Sequence, residues 1–566
     1  MPCIWPKASR SSTTSRTGHW APARSASRPW PNGGVETHRP AAARPRDRRA
    51  ASHSPNGRSE RVAAIDIGSN SIRQLIADVT AGGHIRVVDE MKAAPRLGAG
   101  VGEARRLAPH AMERASEAIS RMATLARQRG ATRIVAVATS AVREASNARE
   151  FVDMVQRGSH LPVRVLDGHA EALLGLRSAL AHFDLGHGRT VVTDIGGGSL
   201  ELVLCAAGLV DRVVSLPFGA LRLTEQYLKK GTSRRAVKAL RRDVRAELRK
   251  QLPAREWRNA RIVGSGGTFT NLAGMALARQ GLRAARTVHG TRVTRIELEH
   301  ILDALQDMSL AERLAVPGLN AGRADIIVAG LAVIAEVLAR LDAPSIVVSA
   351  YGIREGLLLE TARVKPHAAN PGDARQRSIE RLAEACSVED RHAIQVQRLA
   401  LQLFDALRER LGCSVAERDV LSAAARLHDI GYYISYDKHH KHSFYLIAHA
   451  ELLGLSPAEQ LVIANVARYH RGAAPRKSHE TLSTLDRSMR RQVRRLAAVL
   501  RVADGLDRGH TGAVGRLRVR WTRTGIRITA VPRTAGQALR LELWGAARKR
   551  ALLERVAGVP VTIVGA

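Results

Sequence analysis

The sequence predicts an α/β protein made of two similar halves, followed by an all-α domain with a small β-containing tail. A chain of 566 residues exceeds what one hydrophobic core usually organises, so several domains are expected. A short apolar run, an Asp-x-Gly turn and a second apolar run occur at Asp66 and again at Asp194. Each pattern predicts a strand, a tight turn and a strand. The repeat indicates two related halves, and we place the domains at 61–190, 191–363, 373–510 and 511–566.

Residues 1–60 are predicted to be a disordered basic extension. They are rich in Ser, Arg, Pro and Ala, show no apolar periodicity, and carry 11 Lys and Arg against 3 acidic residues. No continuous apolar segment of a secretory signal is present. We interpret the segment as a passive tail, or as the result of a start codon assigned too far upstream.

The formal net charge of +36 favours a polyanionic partner, although an Arg- and Ala-rich bias spread over solvated faces explains it equally well. Aromatic residues make up only 3% of the chain, which argues against base stacking and a specific nucleic-acid partner. No apolar run approaches the roughly 20 residues that span a bilayer. The four scattered cysteines form no C-x-x-C pair, so we expect a cytoplasmic protein without a zinc ribbon.

Three glycine turns are candidate phosphate-binding loops. The third follows Arg261–Val263 and leads into a predicted helix. Backbone N–H groups of such turns can converge on an anion, and Asp194, at a strand end, can hold a hydrated Mg²⁺ against a phosphate. An ordinary hairpin turn is the alternative for each loop taken alone. The candidate residues are Gly68, Ser69, Asn70, Ser71, Gly196, Gly197, Gly198, Ser199, Gly264, Ser265, Gly266, Gly267 and Thr268.

Arg143 and Glu171 each follow a predicted strand of the first half. A helix at 109–128 precedes the strand at 134–138, and Arg143 lies in the helix start after that strand. Ligands bind beyond the carboxyl ends of strands in α/β sheets, where a guanidinium can hold a phosphate. A surface arginine is the alternative. Glu171 begins the helix after the next strand, where the helix dipole favours an acid in any case.

The paired hairpins and the later glycine turn resemble the actin-like, ribonuclease-H-like fold, in which two lobes hold a phosphate chain between their hairpins. The sequence also resembles the exopolyphosphatase/guanosine pentaphosphate phosphohydrolase (Ppx/GppA) family over about residues 60–360. The stretches that carry the resemblance are DIGSNS (66–71), ATSAVREASNAREF (138–151), DGHAEA (167–172), DIGGGSLEL (194–202), SLPFGALRLTE (215–225), GSGGT (264–268), PGLNAGRADIIVAG (317–330) and VVSAYGIREGLLLE (347–360).

The resemblance implies a hydrolase that removes the terminal phosphate of inorganic polyphosphate, or one that acts on guanosine pentaphosphate. It implies that Glu171 is the general base and that Asp194 and Glu201 lie near a bound Mg²⁺ or Mn²⁺. It also implies that Arg143 and the three glycine loops bind the phosphates. The family usually has two adjacent acids where this chain has Ala170 before Glu171. Relatives suggest a homodimer.

Two other classes of function stay open. An actin-like ATPase or sugar kinase would use similar loops, but those families lack the ATSAVRE and LPFGALRLTE stretches. A non-catalytic polyanion sensor would account for the net charge. Within 229–256 a basic stripe recurs at helical spacing, and it is either a polyphosphate track or, as we favour, a solvated face. The stripe consists of Arg234, Lys238, Arg241, Arg245 and Arg249.

Residues 373–510 read as mostly helical and resemble the HD phosphohydrolase domain. The resemblance implies a second metal site for Mn, Fe or a similar ion at His392, His428, Asp429 and Asp504. A purely structural domain is one alternative, and an HD-domain phosphohydrolase acting on a nucleotide is the other. In the tail we predict a hairpin around Gly525 and a strand pair at 539–543 and 561–564.

Overall fold

The structure is a computed structural model that describes residues 59–566, except 187, 207, 283–284, 286, 365–370, 387–389, 451 and 453. The predicted disordered extension therefore lies outside the described residues, apart from Ser59 and Glu60, which begin the first strand. Among the described residues, none of the helices combines the length and the apolar character that crossing a bilayer requires.

The first half is a five-stranded sheet of order β3-β2-β1-β4-β5. The first three strands form an antiparallel meander, and β4 and β5 continue in parallel. The helix predicted at 109–128 is confirmed with those bounds. The strands are β1 (Ser59–Ile67), β2 (Ile72–Thr80), β3 (Ile85–Ala93), β4 (Arg133–Ala138) and β5 (Val163–Val165), and the helices are α1 (Val101–Ala104), α2 (Pro109–Gln128), α3 (Ser140–Glu144), α4 (Ala148–Ser159) and α5 (Gly168–His182).

The second half repeats this arrangement in a six-stranded sheet of order β10-β11-β9-β6-β7-β8. An antiparallel meander of three strands is again followed by parallel strands, here β9 and β11. The strands are β6 (Arg189–Ile195), β7 (Leu200–Ala206), β8 (Leu209–Leu216), β9 (Arg261–Ser265), β10 (Thr291–Thr294) and β11 (Ser345–Val348). The helices are α6 (Ala220–Tyr227), α7 (Arg234–Gln251), α8 (Ala254–Trp257), α9 (Gly267–Arg279), α10 (Arg295–Gln306), α11 (Leu310–Leu314), α12 (Ile327–Leu341) and α13 (Ile353–Thr361). The predicted two-lobed actin-like fold is confirmed.

The two halves exchange helices. Helix α5 belongs to the first half in sequence, yet its Ala172 and Leu176 pack with Val192 and Val203 of the second sheet. Helix α13 follows the second sheet, yet its residues 357–359 pack against the first sheet. The exchange fixes the two sheets to each other and brings the start of α5, with Glu171, between them.

The C-terminal region is helical up to a small sheet, as the sequence predicts. A large apolar core joins its helices to the sheet of order β12-β13-β14. The elements are α14 (Pro371–Ala385), α15 (Asp390–Leu407), α16 (Glu417–Arg426), α17 (His439–His449), α18 (Pro457–Arg468), α19 (Glu480–Ser483), α20 (Arg487–Gly505), β12 (Val514–Trp521), β13 (Ile526–Pro532), α21 (Arg540–Lys549), α22 (Ala551–Ala557) and β14 (Val561–Gly565).

One strand prediction in the tail is wrong. The hairpin around Gly525 and the strand at 561–564 are present, but residues 539–543 enter helix α21 instead of a strand. Their alternation of Leu with charged residues suggested a period of two. The buried positions are Leu539, Glu542 and Ala546, whose spacing is that of one helix face, whereas Leu541 is half exposed.

The basic stripe on α7 is only partly the solvated face that the sequence favoured. Arg241 and Arg245 both donate to the carboxylate of Glu336, a residue of α12 that is 1% exposed. Arg241 also donates to Glu299 of α10. These arginines hold α7 on its neighbours because the buried carboxylate needs a charged partner.

Candidate active site

The two Asp-x-Gly hairpins meet across a cavity between the two sheets. Twelve of the predicted site residues lie in its wall: Gly68, Ser69, Asn70, Ser71, Glu171, Asp194, Gly196, Gly197, Gly198, Ser199, Gly266 and Gly267. The cavity therefore collects residues from the first hairpin, the second hairpin, the third glycine turn and the start of α5. This is the juxtaposition that the sequence suggested.

The glycine triplet is where the hairpins touch. A Cβ on Gly197 would lie 2.9 Å from the Cβ of Ser69 and 3.1 Å from the backbone nitrogen of Asn70. Any larger residue would push the two hairpins apart, because that backbone nitrogen cannot move freely. The triplet thus allows close approach of the two halves, in addition to any role toward an anion.

Four carboxylates line the cavity, and Glu355 of α13 is one of them. Asp66 lies next to the last residue of β1, Asp194 lies near the end of β6, and Glu171 lies in the first turn of α5. Asp194 accepts a hydrogen bond from Ser265 at 2.6 Å, whereas the Oδ1 atom of Asp66 is buried without a partner. Buried carboxylate oxygens usually have a donor or a cation nearby.

The surroundings raise the pKa of the carboxyl groups of Asp66, Glu171 and Asp194. Burial raises the pKa of Asp66 to about 6, against the pull of Arg354 and Arg73. Burial also raises the pKa of Glu171 to about 7, although the hydrogen bond from Arg143 opposes the rise. The pKa of Asp194 rises for the same reason. A group whose pKa lies near neutrality can exchange a proton at physiological pH, as a general base must.

The local sequence fixes the position of Glu171. Asp167 caps α5, because its side chain accepts a hydrogen bond from the backbone nitrogen of Ala170 at 2.7 Å. Arg143 Nη1 donates to Glu171 Oε2 at 2.8 Å and to the carbonyl oxygen of Leu166 at 2.9 Å. No hydrogen bond among the described residues occupies Glu171 Oε1. One carboxylate oxygen is therefore held and the other is available toward the cavity.

Five predicted site residues lie outside the cavity wall. Arg143 lies beside Glu171, and Ser265 lies beside Asp194. Glu201 is 2% exposed and accepts a hydrogen bond from Ser215, and burial together with the nearby Glu171 raises its pKa well above the usual value. Gly264 and Thr268 face the interior of the second half, where Gly264 makes room for Phe269.

Three arginines line the cavity that were not among the predicted site residues. Arg73 comes from β2, Arg323 precedes α12 and Arg354 lies in the first turn of α13. The guanidinium of Arg323 lies where a Cβ of Gly267 would be, so the third glycine turn makes room for a cation. The signal in the sequence was weak, since Arg323 and Arg354 lie within the quoted stretches 317–330 and 347–360 without any local pattern that marks them.

The donor set of the cavity fits a hard divalent cation. Asp66 and Asp194 offer carboxylate oxygens, and the partnerless Oδ1 of Asp66 is the buried atom that a cation would satisfy. Among the described residues, no three such donors of the cavity lie within 4.8 Å of one another. Mg²⁺ is commonly held by one or two carboxylates together with substrate phosphates and waters, which suits this spacing. Glu201 is less suited, because it does not reach the wall.

The residues predicted for a second metal site also come together. Ligand atoms of His392, His428 and Asp429 lie within 4.8 Å of one another, and Oδ1 of Asp504 lies 3.7 Å from Nε2 of His392. The other carboxylate oxygen of Asp504 accepts a hydrogen bond from Lys549 of α21. Four residues from three separate parts of the chain thus surround one point of the helical region.

Comparison with known families matches residues 75–364 to the Ppx/GppA phosphatase family and residues 374–531 to domain III of Ppx/GppA phosphatases. The first match spans just over half of the chain. The chain belongs to the Ppx/GppA phosphatase family. Family membership agrees with the hairpin cavity and makes the protein a phosphatase.

Solved structures of family members resemble the chain over about half of its length. An exopolyphosphatase-like protein is 31% identical, with a TM-score of 0.50, and the match covers 54% of this chain and 98% of that one. An exopolyphosphatase from Cytophaga hutchinsonii is 25% identical, with a TM-score of 0.50, over 54% of this chain and 99% of that one. A Ppx/GppA family member from Aquifex aeolicus is 30% identical, with a TM-score of 0.47, over 54% and 98%.

Proposed function

We propose that this phosphatase is an exopolyphosphatase that hydrolyses the terminal phosphate of inorganic polyphosphate. The observation that carries the proposal is the cavity wall, where four carboxylates and three arginines face one space between the hairpins. Phosphoryl transfer to water needs little covalent chemistry from the protein. It needs charge neutralisation and in-line positioning, which such a wall can supply.

The arginines bind the substrate. Arg73 forms no ion pair with another described residue, and Arg354 forms only loose ion pairs, at 3.8 Å with Glu90 and 3.6 Å with Glu355. Guanidinium groups bind phosphate oxygens through two parallel N–H donors, so cations without tight partners favour a phosphate-rich ligand. Backbone nitrogens of the two hairpins add neutral donors beside them.

Glu171 activates the water. Its Oε1 accepts a proton from a water molecule, while Arg143 holds Oε2 and fixes the direction of the carboxylate. The water oxygen forms a bond to the terminal phosphorus, and the bond from that phosphorus to the bridging oxygen breaks. The shortened chain leaves with the electron pair on that oxygen, and the arginines stabilise the added charge.

A divalent cation would be held by Asp66 and Asp194. When bound, it neutralises phosphate charge and lowers the cost of ionising the neighbouring carboxylates. The buried Oδ1 of Asp66 and the raised pKa values of both aspartates support this assignment. In the helical region we propose a transition-metal site at His392, His428, Asp429 and Asp504, which are the residues that the HD resemblance implies.

A substrate panel tests the proposal. Purified full-length protein is assayed for phosphate release from polyphosphate, guanosine pentaphosphate and ATP, with Mg²⁺ and with Mn²⁺. We expect release from polyphosphate without any nucleotide. Phosphate release from guanosine pentaphosphate alone would make that nucleotide the substrate in place of polyphosphate. Phosphate release from ATP alone would favour an ATPase. The expected homodimer and cytoplasmic location stay predictions.

A further inference from the structure

We propose that the outer face of the C-terminal sheet binds single-stranded nucleic acid through its phosphate backbone. The sheet consists of β12, β13 and β14, and these three strands contain four arginines and no acidic residue. A fifth arginine, Arg523, is exposed in the turn between β12 and β13. The proposal depends neither on the function proposed for the cavity nor on the metal site proposed for the helical region.

The alternation of side chains along the strands places the arginines on one face of the sheet. Arg516, Arg518 and Arg520 of β12 are exposed, whereas the apolar residues between them pack against the core of the helical region. On β13, Arg527 is exposed and both of its neighbours are buried. Because successive residues of a strand point to opposite faces, the sheet has one apolar face on the core and one basic face toward solvent.

The pairing of the strands places two arginines directly opposite each other. In the antiparallel register of β12 and β13, Arg520 pairs with Arg527. The Cβ atoms of such a pair are about 5 Å apart, so two like charges there destabilise the sheet. A bound polyanion would remove this repulsion. The concentration of positive charge is therefore a cost to the fold that a ligand would offset.

The arginines of this face have no partner within the part of the chain that the structure describes. Their guanidinium groups form neither an ion pair nor a hydrogen bond with another described residue. The arginines of the basic stripe on α7 differ, since Arg241 and Arg245 both contact the buried carboxylate of Glu336. An exposed guanidinium without a partner can bind a phosphate through two parallel N–H donors.

The spacing of the donors favours a nucleic acid over polyphosphate. Alternate residues of β12 are about 6.8 Å apart along the strand. Neighbouring phosphates of a nucleic acid are separated by a sugar, whereas those of polyphosphate share an oxygen atom and lie much closer together. Thr529 and Thr562 lie on the same face beside Arg518 and Arg527, and threonine hydroxyls commonly contact sugars and phosphates.

The absence of rings on this face indicates binding without base specificity. None of the outward residues of the three strands is aromatic, so bases have no ring on which to stack. A small open sheet accommodates a single strand laid across it, as the sheets of several RNA-binding modules do. The expected ligand is therefore a single strand that is recognised by its phosphates and not by its sequence.

Fluorescence anisotropy with the full-length protein tests the proposal. The probes are labelled oligouridylate and oligothymidylate of about 15 nucleotides, in chelator at low salt. The double variant Arg518→Gln/Arg520→Gln should bind both probes at least about tenfold more weakly. The slope of log K against log salt should become shallower by about 1.4, because each phosphate contact on a single strand contributes about 0.7.

A variant with the same loss of charge elsewhere is the matched control. Arg149→Gln/Arg157→Gln removes two exposed arginines from α4 and should leave the affinity and the salt slope unchanged. Unchanged oligonucleotide binding by Arg518→Gln/Arg520→Gln would overturn the proposal. Equal losses in the two double variants would also overturn it, because net charge alone would then explain the binding.

Labelled polyphosphate under the same conditions separates the two classes of polyanion. We expect Arg518→Gln/Arg520→Gln to change its affinity less than about twofold. A loss as large as that for the oligonucleotides would assign the face to polyphosphate and overturn the proposal. Thermal unfolding shows whether the variant is folded, and its midpoint should stay or rise because the repulsion between Arg520 and Arg527 is gone. A lower midpoint would contradict that repulsion.

Discussion

At the scale of single residues, Arg143 and Glu171 form one unit at the cavity wall. The arginine does not line the cavity itself, so its assignment as a phosphate ligand is less direct than the sequence suggested. Its guanidinium instead connects Glu171 to the backbone at Leu166. A positive charge beside a buried carboxylate lowers the pKa of that carboxyl group, and its hydrogen bond also fixes the orientation of the carboxylate.

This pair gives a pH prediction for the proposed reaction. Glu171 must be ionised to accept a proton, so kcat/KM should rise with pH through about 7 and then level off. Arg143→Leu removes the group that lowers the pKa of Glu171, so the rising limb should move to higher pH. The measurement is the pH profile of polyphosphate hydrolysis. The exposed Arg149→Leu on α4 is the control, and a limb that stays in place in Arg143→Leu would contradict the assignment.

The buried charge of Glu171 also predicts an effect on stability. Its folded pKa of about 7 exceeds the unfolded value, so its ionisation destabilises the fold as the pH rises from about 4.5 to 7. Glu171→Gln should therefore be more stable than the unmutated protein at pH 8, by on the order of 3 kcal/mol, and show little difference at pH 4.5. Thermal unfolding at the two pH values measures this. Equal stability of Glu171→Gln and the unmutated protein at pH 8 would contradict the idea that the buried charge of Glu171 destabilises the fold.

At the scale of elements, local patterns predicted the strands and helices well. Helix α2 and the hairpins were predicted because their apolar spacing and glycine turns lie within short stretches of sequence. The helix α21 was missed because alternation in five residues imitates a strand. The cavity arginines Arg73, Arg323 and Arg354 were missed because each lies on a different element, and only the fold brings them together.

The docking of α7 gives a prediction at this scale. Glu336 of α12 is buried and accepts hydrogen bonds from Arg241 and Arg245 of α7. Glu336→Ala removes the shared partner and should lower the free energy of unfolding by about 3 kcal/mol, because it leaves the guanidinium groups of Arg241 and Arg245 without that carboxylate at a partly buried helix contact. Denaturant unfolding measures the loss. Glu247→Ala removes a carboxylate that contacts Lys250 and Gln251 of α7 itself, so it should change the free energy little, and equal losses in the two variants would contradict the docking role.

At the scale of the whole molecule, the exchange of α5 and α13 determines the site. Neither helix could be assigned to its sheet from the sequence, because their packing partners lie in the other half of the chain. The two helices cross at Gly356, where a Cβ would overlap the backbone carbonyl of Leu174. The hairpins, and the carboxylates they carry, depend on this crossing for their spacing.

The crossing predicts the effect of a single added methyl group. Gly356→Ala should push α5 from α13, lower stability by on the order of 2 kcal/mol and lower the hydrolysis rate, because Glu171 moves with α5. Gly175 of α5 has no atom within 4 Å of where its Cβ would be. Gly175→Ala is therefore the matched control and should be neutral or stabilise by about 0.5–1 kcal/mol. Unfolding and turnover are measured together, and a harmless Gly356→Ala would contradict the role of the crossing.

In the proposed reaction, Glu171 directs a water molecule at a phosphate held between the hairpins. The most direct measurement is the rate of phosphate release from polyphosphate by Glu171→Gln, beside the exposed Glu150→Gln of α4 as control. We expect a loss of about 100-fold or more in kcat for Glu171→Gln, with folding preserved, and an unchanged rate for the control. Full activity of folded Glu171→Gln would contradict it.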